Sequence, residues 1–194
     1  THYNVMTRYS GKLDAIRPYE LAEINPIDAE KLGLEEEGFI GALYRRLEAV
    51  EKRSGIEARL HITNEDGEYY QWSDAGRSAV VEFYRLPASL ELDLYRITQE
   101  ALNNTLKHSG ATTVNVRIRL GVSHISLEIE DNGRGFVYEG GRGHGGGFGL
   151  VGLKERAKQL GGKFKIDSSP TSGTTIKVTG IPYRLVGAEE MITQ

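Results

Sequence analysis

The sequence contains no cysteine, only five prolines and a single tryptophan among its 194 residues. Without cysteine the chain can form no disulfide bond, thiolate nucleophile or cysteine-ligated zinc site. No apolar run reaches the length of a membrane-spanning helix. The 24 basic and 27 acidic residues give a net charge of -3. This balance argues against a general nucleic-acid binder, whose affinity would depend on neutralising phosphates.

Glycine is the residue type in clear excess. The chain has 24 glycines, and ten of the twenty residues from Gly133 to Gly152 are glycine. Hydrophobic residues make up 39% and charged residues 26% of the chain, a composition typical of a folded domain with a packed core. The length suits one sizeable domain plus an appendage. Because the first residue is Thr1 and no signal-peptide pattern follows it, we expect a fragment of a longer protein.

Hydrophobic periodicity predicts alternating helices and strands along the chain. Apolar spacing, capping residues and turn signals predict helices over 5–16, 35–53, 90–108 and 150–160. Alternation of apolar and polar residues predicts strands over 56–63, 69–72, 79–84, 114–120, 125–129, 163–167 and 174–181. Antiparallel strand pairs with helices between them predict an α+β fold, a two-layer α/β sandwich with the helices on one face of a mixed sheet.

The helix over 90–108 carries a stripe of polar side chains. Glu100, Asn104 and His108 are four residues apart and therefore share one helix face. Asn103 and Asn104 are poor helix formers, and an asparagine carbonyl oxygen is a suitable hard ligand for Mg²⁺. A solvent-exposed helix face would show similar spacing, so this pattern alone leaves both interpretations open.

A second candidate is the Asp-Asn-Gly-Arg-Gly sequence that follows the strand over 125–129. Asp131 can accept a hydrogen bond from an exocyclic amine of a ligand. Gly133 and Gly135 would let a planar ring approach the backbone, because they have no Cβ. An ordinary turn has the same composition, so the motif is weak on its own.

The third candidate is the glycine-rich loop of residues 140–149, which leads into the helix at Leu150. Successive backbone N–H groups and a helix N-terminus form an anion site, and glycines allow a lid to open and close. Gly147 to Gly152 also matches the dinucleotide fingerprint G-x-G-x-x-G. That alternative is disfavoured because no strand immediately precedes Gly147, as the fingerprint requires.

The order of these motifs carries a resemblance to a known family. An Asn-bearing helix, Asp131-x-Gly133-x-Gly135, a glycine-rich lid and Gly173-Thr174-Thr175 resemble the N, G1 and G2 boxes of the GHKL (Bergerat) ATP-binding fold. The resemblance covers about residues 55 to 183. Within that superfamily, the segments 99–109 and 149–157 resemble sensor histidine kinases of the nitrate-sensor (NarL-partner) type.

The resemblance implies roles for the polar helix. Asn104 would ligate Mg²⁺, and Glu100 would act catalytically by orienting or deprotonating. Asn103 would help to position the ATP phosphates, and Lys107 and His108 would lie near them.

The resemblance also implies roles beyond that helix. Asp131 would bind the adenine amine, with Gly133 and Gly135 walling the base pocket and Thr174 supporting the adenine end. The lid hinge and the phosphate-facing start of the next helix would be formed by Gly147, Gly149 and Leu150.

The function implied is transfer of the γ-phosphoryl group of Mg-ATP to a histidine in a two-component signalling system. The partners implied are ATP, the dimerisation and phosphotransfer domain of the same kinase, and a response regulator, but no nucleic acid. Two alternatives stay open: a non-kinase GHKL ATPase or anti-sigma-type serine kinase, and a degenerate nucleotide-binding interaction module.

The phosphoacceptor histidine of the family is typically followed by an acidic residue. The five histidines here precede Tyr3, Ile62, Ser109, Ile125 and Gly145, so none fits. We therefore expect residues 1–54 to be the end of the dimerisation region with its linker, a helical appendage to the domain. Residues 55–185 would form the catalytic domain and 186–194 a tail. The resemblance implies a cytoplasmic location, whether or not the parent kinase is membrane-bound, and a homodimer only in the full-length protein.

Overall fold

A computed structural model of the protein describes residues 34–67, 69–70, 86–138 and 148–183. Within these ranges a six-stranded mixed sheet forms one layer and three α-helices form the other. The helices are α1 (Leu34–Ser54), α2 (Ala88–Asn104) and α3 (Phe148–Gln159). The strands are β1 (Glu57–Thr63), β2 (Tyr69–Tyr70), β3 (Thr113–Leu120), β4 (His124–Asp131), β5 (Lys163–Ser168) and β6 (Thr174–Pro182). The predicted two-layer α+β architecture is confirmed.

The strands lie in the order β2-β1-β3-β4-β6-β5. β1 and β3 are parallel and the other neighbours are antiparallel. The parallel pairing is possible because β2 and α2 lie between β1 and β3 in the chain, a connection long enough for a crossover. The predicted hairpin after Thr63 is present, with Ile62 opposite Tyr70. The helix predicted over 5–16 and the strand predicted over 79–84 lie outside the described residues.

One face of the sheet is apolar and the other is charged. Alternation along β3 and β4 buries residues such as Val116 and Ile129 beneath the helices. On the opposite face, Arg117 forms ion pairs with Glu128 at 2.7 Å and Glu130 at 2.5 Å, and Glu128 also pairs with Lys177 at 2.6 Å. This division is what a sheet covered by helices on one side requires.

The helix α2 is the central element of the helical layer. It contacts both α1 and α3 and also the sheet at β4. Leu94, Ile97 and Leu102 are fully buried along it. The structure differs from the predicted continuous helix over 90–108 in its last turn, because residues Thr105–Ser109 form a π-helix. Such π turns often mark functional positions, since they rotate the following side chains relative to the helix.

The helix α1 packs on the same core as the sheet. Its buried residues Phe39, Leu43, Leu47 and Val50 belong to one hydrophobic cluster with α2 and the strands. The predicted helix over 35–53 is present but kinked at Gly38, which has φ 65° and ψ -175°. The described part of the segment 1–54 is thus continuous with the core. The division at residues 54 and 55 stays a prediction, since 1–33 lie outside the described ranges.

In the part of the chain that the structure describes, no helix combines the length with the apolar character that crossing a bilayer demands.

The packing of α1 generates a test of how the chain unfolds. Leu43 has no exposed surface, so Leu43→Ala should lower the free energy of unfolding by about 2 to 5 kcal/mol, through lost burial and an unfilled cavity. Urea unfolding followed by far-ultraviolet circular dichroism measures this, with Val122→Ala as the control because Val122 is 80% exposed. An unchanged midpoint in Leu43→Ala would show that α1 does not unfold with the sheet.

Candidate functional site

A cavity of about 350 Å³ lies where the end of α2, the end of β4, the start of β6 and the start of α3 meet. This volume is within the range of small-ligand sites. Its walls are formed by Ala101, Asn104, Thr105, His108, Ser109, Ile129, Asp131, Arg134, Gly135, Phe136, Gly149, Leu150, Thr174 and Ile176. Polar side chains of α2 and β4 therefore line the same cavity as the apolar side chains of Ile129 on β4 and Ile176 on β6.

Asp131 is the buried carboxylate of this cavity. It is the last residue of β4 and is 7% exposed. The backbone N–H of Gly133 donates to its Oδ1 at 2.9 Å, and the hydroxyl of Thr105 donates to its Oδ2 at 3.3 Å. Burial raises the pKa of Asp131 above its ordinary value of 3.8, although these hydrogen bonds act in the opposite direction. An ionised carboxylate accepts up to about four hydrogen bonds, so this one can accept a further bond from a ligand.

The strand alternation explains the surroundings of Asp131. Ile129 lies two residues before it on β4, and side chains two residues apart share a face of the sheet. On the neighbouring strand β6, Thr174 pairs with Asp131 and Ile176 pairs with Ile129. The cavity therefore has an apolar wall of two isoleucines with a hydrogen-bonding group beside it, which suits a flat heterocycle that carries an amine.

The loop after β4 packs against the π-helical turn. A Cβ at Gly133 would lie 2.5 Å from Ser109 Cβ and 2.6 Å from Ser109 O, closer than real contacts allow. The next residue, Arg134, donates its backbone N–H to Ser109 O at 2.9 Å. Gly133 does not line the cavity. Its effect on the predicted base pocket is indirect, because it lets the loop after β4 approach Ser109 closely. Gly135 lines the cavity directly.

The start of α3 closes the other end of the cavity through Gly149 and Leu150. A Cβ at Gly149 would collide with the Glu100 carboxylate, and it would lie 3.6 Å from Asn104 Nδ2. Glu100 and Asn104, one turn apart on α2, therefore both face the first turn of α3. The backbone N–H groups of a helix N-terminus attract anions. Predicted residue Gly147 lies outside the described residues.

The structure separates the predicted residues into two groups. Those that line the cavity are Asn104, His108, Asp131, Gly135, Gly149, Leu150 and Thr174. Asn103 lies outside this wall and accepts a hydrogen bond from Arg46 of α1. Lys107 is exposed on the π-helical turn and also does not line the cavity, and neither do Glu100 and Gly133.

Some cavity residues were not predicted from the sequence. Ile129 and Ile176 could have been found from strand alternation, because each lies two residues from a predicted site residue on the same strand. Thr105 could also have been found, because it continues the α-helix with its N–H bonded to Ala101 O, whereas Ser109 lies at the end of the π-helical turn and could not. No local sequence pattern predicts that turn.

The side chains present suit a cation that takes few protein ligands. Among the described residues no group of three or more His, Asp and Glu side chains could hold a metal ion. Asn104 lines the cavity beside the start of α3, and its side-chain amide includes one oxygen that could ligate a cation. Mg²⁺ keeps several water ligands and binds through one or two protein oxygens together with phosphates. The residues therefore fit Mg²⁺ that arrives with a phosphorylated ligand.

Comparison with known sequences shows the family of this region. Residues 89–184 match the model of the histidine kinase-, DNA gyrase B- and HSP90-like ATPases. The chain is 33% identical over 161 residues to the signal transduction histidine-protein kinase/phosphatase DegS of Brevibacillus brevis, which covers 82% of this chain and 37% of DegS. It is also 40% identical over 98 residues to the sensor protein VraS of Staphylococcus haemolyticus. This match covers 50% of this chain and 28% of VraS. The chain thus matches 28–37% of the length of these relatives.

A solved structure shares the fold. The blue-light activated histidine kinase of Erythrobacter litoralis superposes with a TM-score of 0.55 at 17% identity, over 85% of this chain and 49% of that one. At this identity the likeness concerns the fold alone.

The buried charge of Asp131 predicts a particular pH dependence of stability. Its raised pKa means that the folded state binds the proton more tightly than the unfolded chain does, so the ionised group destabilises the fold at neutral pH and this effect disappears on acidification. Asp131→Asn should therefore unfold at higher urea concentration than the wild type at neutral pH. The difference should shrink as the pH falls towards 3.8. An Asp131→Asn protein with a lower midpoint at neutral pH would contradict this account.

Proposed function

We propose that the chain, whose residues 89–184 match the family model of the histidine kinase-, DNA gyrase B- and HSP90-like ATPases, is the catalytic ATP-binding part of a sensor histidine kinase. The observation that carries the proposal is the cavity itself. It has a buried carboxylate, Asp131, at one end, and it has Asn104 with the start of α3 at the other. These two ends match the two chemically different ends of ATP.

The end with Asp131 suits adenine. Its Oδ1 and Oδ2 are already held by Gly133 and Thr105, so the carboxylate is fixed in position before a ligand binds. An ionised carboxylate accepts the adenine amine and offers no donor, so it would discriminate against a base with a carbonyl at that place. Ile129 and Ile176 would supply apolar contact to the ring.

The opposite end suits the phosphates. The N-terminal turn of α3 reaches the cavity through Gly149 and Leu150, and the N–H groups of a helix's first turn favour negative charge. His108 also lines the cavity and could donate a hydrogen bond to a phosphate. Lys107, which is exposed on the neighbouring turn, would contribute a positive charge at the cavity mouth.

Asn104 would hold Mg²⁺ through its amide oxygen, and bound Mg²⁺ would supply neutralisation of the phosphate charge. Glu100 lies one helical turn before Asn104 and contacts the Gly149 backbone at the start of α3. From that place it would orient or deprotonate the accepting histidine as the phosphoryl group moves. Phosphoryl transfer depends mostly on positioning and charge stabilisation, which these residues would provide.

The wider assignment concerns the parent protein. The proposed phosphoryl acceptor is a histidine in the dimerisation domain of the same kinase, with a response regulator as the next recipient. The sequences at 99–109 and 149–157 support the nitrate-sensor type of kinase. A cytoplasmic location follows from the need for ATP and a response regulator.

The proposed function predicts that adenine recognition depends on one carboxylate. Isothermal titration of the full chain with ADP and a non-hydrolysable ATP analogue, each with and without Mg²⁺, should show saturable binding. Asp131→Asn should weaken this binding by at least about 100-fold, because it replaces a charged acceptor with a neutral amide that also brings a donor.

The matched control is Glu130→Gln, the neighbouring carboxylate that faces the charged side of the sheet, paired with Arg117. Its affinity should stay within about twofold of the wild type, because exposed ion pairs contribute little. Equal losses in both variants would point to unfolding, and no nucleotide binding by the wild type would favour a degenerate interaction module.

A second prediction concerns phosphoryl transfer in the full-length parent. With Mg-ATP the parent should gain acid-labile phosphate, and Glu100→Gln should slow this gain by about 100-fold or more, while nucleotide affinity is largely kept. Radiolabel incorporation followed by acid treatment measures it. Steady ATP hydrolysis by the isolated chain, with no labelled histidine in the parent, would favour a non-kinase ATPase.

A further inference from the structure

An arginine of α1 reaches α2 at the residue next to Asn104. Arg46 Nη2 donates a hydrogen bond to Asn103 Oδ1 at 2.8 Å, across 57 positions of the sequence. The contact is partly buried and lies outside the cavity wall. Because Asn103 and Asn104 are consecutive, their side chains project about 100° apart around the helix axis. One therefore faces α1 while the other faces the cavity.

The contact lies where the backbone geometry of α2 changes. The α-helix ends at Asn104 and the π-helical turn begins at Thr105. In a π-helical turn the backbone hydrogen bonds join residues five apart. The regular angular spacing of side chains around the helix axis therefore ends at this junction. Buried Leu102 already orients the helix, and the hydrogen bond from Arg46 to Asn103 adds a second constraint beside Asn104, where the regular geometry ends.

Burying Arg46 costs free energy that a purely structural contact between α1 and α2 would not require. Its Nε is buried and has no hydrogen-bond partner among the described residues. A buried donor left without a partner costs about 1 to 3 kcal/mol, and an apolar side chain could tie α1 to α2 without that penalty. The guanidinium also lies beside buried Tyr95, where burial raises the pKa of the phenol and the charges of Arg46 and Arg45 partly oppose the rise.

We propose that Arg46 is a positioning residue for binding of the magnesium–nucleotide complex, acting through Asn103 to hold the Asn104 side-chain amide towards the cavity. This inference rests on the proposed function of Asn104 as the Mg²⁺ ligand. Residues that orient a metal ligand from outside its immediate contacts commonly change metal affinity by about 10- to 100-fold when they are mutated. Arg46 should therefore affect the gain in nucleotide affinity that Mg²⁺ provides, and it should not affect adenine binding.

The first test separates metal-dependent from metal-independent binding. ADP affinity of the full chain is titrated in Mg²⁺ and in EDTA, and the ratio of the two dissociation constants is compared between variants. Arg46→Ala and Asn103→Ala should each reduce the Mg²⁺ enhancement by about tenfold and change the affinity in EDTA by less than about twofold. The double variant should lose no more than either single variant, because both residues act through one bond.

Two further variants act as controls. Arg53→Ala removes an exposed arginine from the last turn of the same helix and should leave the enhancement unchanged. Arg46→Lys, which can still donate to Asn103, should restore part of it. Equal losses in Mg²⁺ and in EDTA, an unchanged ratio in Arg46→Ala, or additive losses in the double variant would each overturn the inference.

The second test needs no nucleotide. Amide hydrogen exchange of the free chain should become about tenfold faster in residues 104–109 of Arg46→Ala and stay unchanged there in Arg53→Ala. Unchanged exchange at 104–109, or an equal increase throughout α1 and α2, would overturn the positioning role. If the wild type binds no nucleotide, or if Mg²⁺ does not increase its affinity, the proposed function fails at that point, and the exchange experiment still decides whether Arg46 holds this turn.

Discussion

The burial of α2 between the apolar face of the sheet and the two other helices is the constraint on which the rest of the structure depends. Its fully buried residues Leu94, Ile97 and Leu102 fix the rotation of the helix about its own axis. Once that rotation is fixed, the polar stripe that contains Glu100 and Asn104 must face the start of α3. The hydrophobic core therefore orients the chemically active side chains, although none of its own residues is chemically active.

The site keeps polar groups in places where they reduce stability. Burial raises the pKa of Asp131, and the Nε of Arg46 has no hydrogen-bond partner among the described residues. Each group holds a defined direction: Asp131 is fixed by two donors, and Arg46 is fixed on Asn103. Groups with these energetic costs concentrate at functional sites, because function requires a polar atom at a place that packing alone would fill with carbon.

The agreement between sequence and structure is best where the pattern is long and regular. The helix at 35–53 and the strands at 114–120 and 125–129 follow from hydrophobic periodicity, because one buried face is enough to define each of them. Asp131 was found because a strand end followed by glycines is a local signal. The cavity's isoleucines Ile129 and Ile176 follow from the same two-residue period, once their strands are known to be neighbours.

The sequence by itself determined the regular helices and strands of the described residues, their apolar faces and the residue types at the candidate site, since these depend on short-range spacing. Only the tertiary structure decided that β1 and β3 are parallel and that β4 lies between β3 and β6, because these pairings join residues far apart in sequence. The same holds for the separation of Asn103 from Asn104. A helical period predicts their angle about the axis, but which neighbour each one meets depends on how α1 and α3 pack against α2.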